Sequence, residues 1–97
     1  MEIKIGEQYY LGDGNSKFGN LALVEVIKRF KQNNRDFYEF KFIRNFASKW
    51  EGDIPEKNHT SITMTKYLKP SFKEAKKSFI QNMNLEGDKG IVKYIFE

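Results

Sequence analysis

The stretch from Asn20 to Phe46 constrains the fold more strongly than any other part of the chain. It contains two runs rich in β-branched and aromatic residues, separated by the polar segment Lys31–Arg35. Such runs around a pair of Asn residues are typical of a β-hairpin, because Asn tolerates the left-handed conformation that tight hairpin loops require. We therefore predict that this segment forms a hairpin around which the rest of the chain is organised.

The alternation of side chains limits how the two strands of this hairpin can pair. Val24 and Val26 share one face of the first strand, and Phe40 and Phe42 share one face of the second. Paired residues must lie on the same face of a sheet, so the apolar sets should be opposite each other. A two-residue loop at Asn33–Asn34 breaks this alignment, whereas a three-residue loop pairs Val26 with Phe42. We expect a loop of three or five residues.

Two further segments show the alternation of a β-strand. The first is Glu2–Leu11, in which Gly6 marks an expected bulge. The second is Ser61–Leu68, in which Ile62 and Met64 alternate with Ser and Thr residues. We predict that the Thr side of this second strand faces solvent.

The C-terminal third of the chain begins with a helix start signal. Ser71 and Glu74 have the spacing of a capping box, in which each residue can bond to the other. The apolar residues that follow share one helical face: Phe72, Ala75, Phe79, Ile80 and Met83. We predict a helix that ends near Asn84, a turn at Gly87–Gly90 and a closing strand over Ile91–Phe96.

These elements define the expected fold class. Gly12–Asn20 and Ala47–Thr60 lack periodicity and are predicted to be loops. The chain is therefore expected to be an α+β, mostly β protein. Short strands with Gly-rich turns favour a small antiparallel curled sheet or barrel of about five strands, with one C-terminal amphipathic helix followed by a last strand. At 97 residues, we expect one domain over residues 1–97.

Three segments resemble the opening of a small SH3-like barrel: Lys4–Leu11, Gly19–Ile27 and Phe37–Phe42. The resemblance covers roughly the first two-thirds of the chain, and the helix and last strand are additions to it. Domains of this kind commonly bind nucleic acids or peptides and rarely act as enzymes. The resemblance therefore implies a binding module.

The composition argues against catalysis and against a metal or cofactor. The chain has no Cys, which excludes disulfides and thiolate metal sites. Its one His, His59, lies in a predicted loop, and nothing in the sequence places a Ser beside it. Glu51, Asp53 and Glu56 near this His match no metal-ligand spacing, and Asp13 begins a segment that lacks the Gly and Glu positions of a calcium loop. We expect that the protein is not an enzyme and that it binds neither a metal ion nor a cofactor.

The basic residues give the strongest functional lead. The net charge is +4, and the excess comes from residues 28–49 and 66–77. The basic residues considered are Lys28, Arg29, Lys31, Arg35, Lys41, Arg44, Lys66, Lys69, Lys73, Lys76 and Lys77. Phosphate binding needs several cations on one surface, and aromatic side chains such as Trp50 and Tyr67 can stack on bases. We predict contact with nucleic acid or with a nucleoprotein complex, through a basic face.

An alternative function is the inhibition of a protein partner. The abundance of Lys, Asn, Ile, Phe and Tyr is typical of an AT-rich genome, and the chain resembles small phage-encoded accessory and anti-defence proteins, including anti-CRISPR-like inhibitors, in size and composition. Trp50 is then either an interface anchor or a lid over the core. A second copy of the chain is a further candidate partner, through an unpaired strand edge. No signal peptide or membrane-spanning run is seen, so we expect a cytoplasmic protein without membrane contact.

Overall fold

A computed structural model describes residues 2–14, 19–49, 56–83 and 92–94 of the chain. The elements in this part are β1 (Gln8–Gly14), β2 (Gly19–Gln32), β3 (Arg35–Lys49), β4 (Thr60–Met64), β5 (Leu68–Lys69), α1 (Phe72–Met83) and β6 (Val92–Tyr94). The antiparallel sheet has the order β4-β3-β2-β1-β5, and β6 pairs with the end of β3. The predicted class, a mostly β sheet with one C-terminal helix followed by a last strand, is confirmed.

The hairpin turn is shorter than predicted. Asn33 and Asn34 alone connect β2 to β3, and Gln32 pairs with Arg35. Both Asn residues have positive φ, 53° and 63°, which is the conformation of a type I′ turn and matches the twist of the flanking strands. The prediction of a three- or five-residue loop is therefore wrong.

A β-bulge at Ile27 restores the predicted faces in spite of the short turn. Val26 pairs with Phe40 instead of the predicted Phe42, and the next pair along β2 begins at Lys28. Ile27 is thus an extra residue in β2, and one extra residue shifts the alternation of side chains by one. The deduction that the valines and phenylalanines share a face is confirmed, although the bulge replaces the odd loop.

The sheet is strongly curled. β4 and β5 lie at opposite edges of the strand order, yet only the 3₁₀ turn Thr65–Tyr67 connects them. The four steps from Met64 to Leu68 span at most about 14 Å, whereas a flat sheet separates its first and fifth strands by about 19 Å. The curl encloses the first core cluster: Ile3, Tyr9, Leu11, Ala22, Val24, Val26, Tyr38, Phe40, Phe42 and Leu68.

The face that β4 turns to solvent is the opposite of the predicted one. Thr63 is 5% exposed and Ile62 is 54% exposed. Thr63 pairs with Tyr38, a core residue, and Ile62 pairs with Glu39 on the outer face of β3. The prediction of an exposed Thr face is wrong because the neighbouring strand, rather than the hydrophobicity of β4, sets its register.

Strand limits near the N-terminus also differ from the prediction. β1 begins at Gln8 rather than at Glu2, because the backbone turns at Gly6, where φ is +86°. The predicted loop Gly12–Asn20 contracts, since β1 continues to Gly14 and β2 begins at position 19. Residues 15–18 lie outside the described part of the chain.

The start of α1 has the predicted capping box. The Ser71 hydroxyl accepts a hydrogen bond from the backbone N–H of Glu74 at 3.3 Å and donates one to the Glu74 carboxylate at 3.0 Å. None of the described helices has the length and apolar character needed to cross a bilayer. The predicted helix end at Asn84 and the turn Gly87–Gly90 lie outside the described residues. The described part of the predicted strand Ile91–Phe96 is β6.

α1 packs on the outer face of the sheet. Ala75 and Phe79 are buried with Leu21 and Ala47 in a second core cluster. The partly buried residues packed against this cluster are Tyr10, Phe46, Phe72 and Ile80. The predicted apolar face of the helix is therefore confirmed for its described side chains, and the Met83 side chain lies outside them.

Candidate nucleic-acid interface

Two of the predicted basic residues of the hairpin are neutralised by acids. Arg29 Nη2 lies 3.3 Å from Asp36 Oδ2, and Lys41 Nζ lies 3.3 Å from Glu25 Oε2. All four side chains are partly exposed, so these pairs contribute little to stability. Their main effect is to lower the positive potential that the sequence predicts along β2 and β3.

Two other cations lie against aromatic rings. The Arg44 guanidinium is 5.1 Å from the centre of the Phe46 ring, and Lys66 Nζ is 5.0 Å from the centre of the Tyr67 ring. Both distances fall within the range of a cation–π contact. Tyr67 is partly buried and packs against the first core cluster, so this ring helps to hold the 3₁₀ turn on the curled sheet.

The exposed face of α1 carries the densest group of cations. Lys73, Lys76 and Lys77 are exposed and, with Ile80 and Gln81, line an open hollow of about 280 Å³. The spacing of these lysines places them on one side of the helix, and the described lining residues include no acid. We call these five residues the helix surface. Lys69, partly buried on β5, precedes the helix but does not line this hollow.

A second group of cations surrounds the turn of the hairpin. Lys28, Lys31 and Arg35 are exposed, and none of them forms an ion pair with a described residue. Lys28 and Arg35 share the face of Phe30 and Phe37, whereas Lys31 lies on the opposite face. The rings of Phe30 and Phe37 stack with their centres 5.8 Å apart and their planes at 17°. We call these five residues the hairpin-end surface.

Sequence reasoning did not identify Phe30 and Phe37 as site residues. The predicted odd loop pairs Phe30 with Tyr38, which would make Phe30 a core residue. The two-residue turn instead pairs it with Phe37, and both rings are only partly buried. The Asn33–Asn34 pair was the signal for this register, because two consecutive Asn residues suit a type I′ turn.

The structure does not bring all the predicted basic residues together. α1 packs on Leu21 near the start of β2, and Phe30 lies nine residues further along the same strand. A straight strand of that length spans about 30 Å, and the longest dimension of the described structure is 35 Å. The helix surface and the hairpin-end surface are therefore separate.

A titratable carboxyl group lies where β1 approaches β4. Burial raises the pKa of Asp13 from 3.8 to about 6, although the backbone N–H of Asn20 and the nearby Thr63 hydroxyl oppose this shift. Thr63 Oγ1 is itself buried and makes no hydrogen bond of ordinary geometry to a described residue. The Asn20 side chain accepts a hydrogen bond of 2.9 Å from the Ser48 hydroxyl. These polar groups sit inside the curl of the sheet, away from both cationic surfaces.

The described residues show no arrangement typical of a metal or catalytic site. His59 is exposed, and its ring stacks on Phe42 with the ring centres 6.0 Å apart. No three His, Cys, Asp or Glu side chains in the described ranges are grouped to hold a metal ion. Trp50, Glu51 and Asp53 lie outside those ranges. No protein-family model, curated protein or solved structure matches the chain.

Proposed function

We propose that this protein is a small non-enzymatic binding protein that contacts nucleic acid, alone or within a nucleoprotein complex. The helix surface carries the proposal, because Lys73, Lys76 and Lys77 line a hollow of about 280 Å³ with no acid among its described residues. A cation that binds a phosphate releases condensed counterions, and this release drives non-specific binding at low salt. Three lysines within two helical turns offer such contacts along a phosphate backbone.

The type of cation favours contact with phosphates over base recognition. The cations of the helix surface are all lysines, and the point charge of a Lys ammonium group suits phosphates. The planar Arg guanidinium, in contrast, is the group that recognises guanine by two parallel hydrogen bonds. The hairpin-end surface adds Lys28, Lys31 and Arg35 as a second cationic area. We therefore propose binding with little sequence preference.

The curl of the sheet supports the further proposal of an SH3-like barrel. β5 pairs with β1 at the edge opposite β4, and three residues connect the two edges. This arrangement leaves for partners the outer side of α1 and the part of the outer sheet face that α1 does not cover. We propose that the protein acts in the cytoplasm of a low-GC bacterium or one of its phages.

Binding measurements with matched charge variants test this function. Fluorescence anisotropy with labelled oligonucleotides of about 20 nucleotides, over about 50 to 200 mM salt, should show affinity that falls steeply with salt. Lys73→Glu with Lys77→Glu should weaken binding about tenfold or more and flatten the salt slope. Lys4→Glu with Lys57→Glu changes the net charge equally at exposed sites away from α1 and is the control. An absence of binding at low salt, or equal losses in both variants, would contradict the proposal.

Exposed Ile62 favours inhibition of a host protein or defence complex as the second candidate function. This residue is 54% exposed on β4, a strand at the edge of the described sheet. An edge strand with an exposed apolar side chain can pair with a strand of a partner protein. Under this alternative, the wild-type chain captures one protein from a nuclease-treated lysate at high salt. Ile62→Lys abolishes this capture, and the double variant Lys73→Glu with Lys77→Glu leaves it unchanged.

A further inference from the structure

We infer that the hairpin-end surface is a stacking platform for unpaired bases, so that the nucleic acid it takes is single-stranded. This inference rests on the proposed function, because it assumes that the ligand is a nucleic acid. It concerns a different part of the molecule from the helix surface. It also assigns a role to Phe30 and Phe37, which the core does not require.

The platform is a row of apolar side chains across three strands. Phe30 pairs with Phe37, and Phe37 pairs with Met64. All three are partly buried, and they lie on the face opposite Tyr38, which is in the core. Ile62, 54% exposed, is two residues from Met64 on the same face. The row is therefore an apolar strip on the outside of the sheet.

Aromatic rings in such a strip can stack on nucleic-acid bases. The Phe30 and Phe37 rings are nearly parallel, with planes at 17° and centres 5.8 Å apart, so a base that stacks on either ring extends this aromatic pair. Every base has a π face, and stacking on an aromatic side chain tolerates any sequence. An oligonucleotide thus gains contacts here that a phosphate-binding surface alone does not provide.

The charges around the row favour a phosphate backbone on one side of it. Arg35 lies two residues before Phe37 on the same face, and Lys28 lies two residues before Phe30. The acid nearest to Lys28 by register is Glu39, which disfavours phosphates on that side of the row. Phosphates linked to the stacked bases should therefore pass on the Arg35 side, over the turn of the hairpin.

A duplex cannot use this platform. Its bases stack on one another and expose their faces only at the helix ends, whereas a single strand can splay its bases onto aromatic side chains. The lysines of the helix surface, in contrast, can contact the phosphates of either form. The platform therefore predicts a preference for single strands, and the helix surface predicts none.

The test compares one sequence in two forms. Anisotropy with the full chain uses a single-stranded oligonucleotide of about 15 nucleotides and its duplex. The single strand should bind about tenfold or more tightly. Phe30→Leu with Phe37→Leu should remove this preference and leave the weaker, salt-dependent binding. Phe30→Tyr with Phe37→Tyr keeps both rings and should retain the preference.

A second measurement on the wild-type chain covers the case in which the Leu variant fails to fold. NMR titration with the single strand should shift the ring proton signals of Phe30 and Phe37, and the duplex should leave them in place. Equal binding of both forms, a Leu variant that keeps the preference or unshifted ring signals would overturn the inference and leave the proposed function standing. If neither form binds at low salt, the proposed function itself fails. If the Leu variant loses a protein ligand instead, the row is a protein interface and the inference is wrong.

Discussion

Gly12 and Ala75 meet backbone to backbone, where α1 crosses β1. A Cβ atom added to Gly12 would overlap the carbonyl oxygen of Ala75. Beside this contact, the Ser78 hydroxyl donates a 2.7 Å hydrogen bond to the Gly12 carbonyl oxygen. The missing side chain of Gly12 thus sets how closely the helix approaches the sheet, and this approach buries Phe79.

Gly12→Ala should destabilise the protein, because the added methyl group has to push the helix backbone away from β1. Overpacking of this kind costs about 1–3 kcal/mol, and chemical denaturation in urea measures it. Gly6→Ala is a comparison without close neighbours, since nothing lies within 4 Å of a Cβ built there and only the positive φ of 86° opposes it. Because that φ alone costs about 1–2 kcal/mol, the contradicting result is a Gly12→Ala variant as stable as the wild type, which would show that α1 does not pack on β1 in this way.

The type I′ turn gives a second stability prediction. Asn34 has a φ of 63°, a conformation that a β-branched residue adopts only at a cost of about 1–2 kcal/mol. Asn34→Val should therefore destabilise the hairpin by that amount, and Asn34→Gly should be neutral or stabilise it by a few tenths of a kcal/mol. Thermal unfolding of both variants checks the order. Equal effects of Val and Gly would contradict a left-handed residue at this position.

The faces of the hairpin could be predicted from the sequence, but its loop could not. The alternation of Val24 and Val26 with Phe40 and Phe42 requires one register parity, and either an odd loop or an even loop with a bulge satisfies it. A bulge such as the one at Ile27 adds one residue without a sequence signal of its own. The helix was easier, because its cap and its apolar spacing are local features.

The candidate site was predictable only in part, because some of its features depend on strand register and sheet order. The exposure of the helix lysines follows from helical periodicity. The ion pair of Arg29 with Asp36 and the outward position of Phe30 both depend on the register that the two-residue turn sets. The separation of the two cationic surfaces depends on the sheet order, which non-local pairing decides. Local sequence patterns do not contain that information.

Deletion of Ile27 tests the bulge directly. Without this residue, Val26 and Lys28 become neighbours and keep their partners Phe40 and Glu39, so every side chain stays on its face. We expect a folded variant that loses no more than about 2 kcal/mol, because the side chain that is removed is 38% exposed. Circular dichroism and urea denaturation provide the measurement.

Deletion of Tyr10 is the control for this variant. It removes one residue from β1, whose pairing with β2 is regular from Gln8 to Gly14, and turns the side chains on one side of the deletion to the wrong face. The control should be unfolded or far less stable. If the two deletions were equally harmful, the bulge would not be the feature that sets the register of the hairpin.

The polar cluster around Asp13 predicts how stability depends on pH. Burial raises the pKa of this carboxyl group from 3.8 to about 6 in the folded chain. The folded state therefore binds a proton more tightly than the unfolded state does. This contribution to stability is fully present below about pH 4, falls as the pH rises to about 6, and is lost above that.

Asp13→Asn should remove this dependence, since the amide has no charge to bury and its oxygen can still accept from the Asn20 N–H. The variant should gain stability over the wild type as the pH rises from about 4 to 7, by at most about 3 kcal/mol for a shift of this size. Urea denaturation across that range measures the difference between the two proteins. Glu7→Gln, which neutralises an exposed carboxylate, is the control for the change in net charge. A constant difference between Asp13→Asn and the wild type across the range would show that the Asp13 carboxyl group is hydrated in the folded protein.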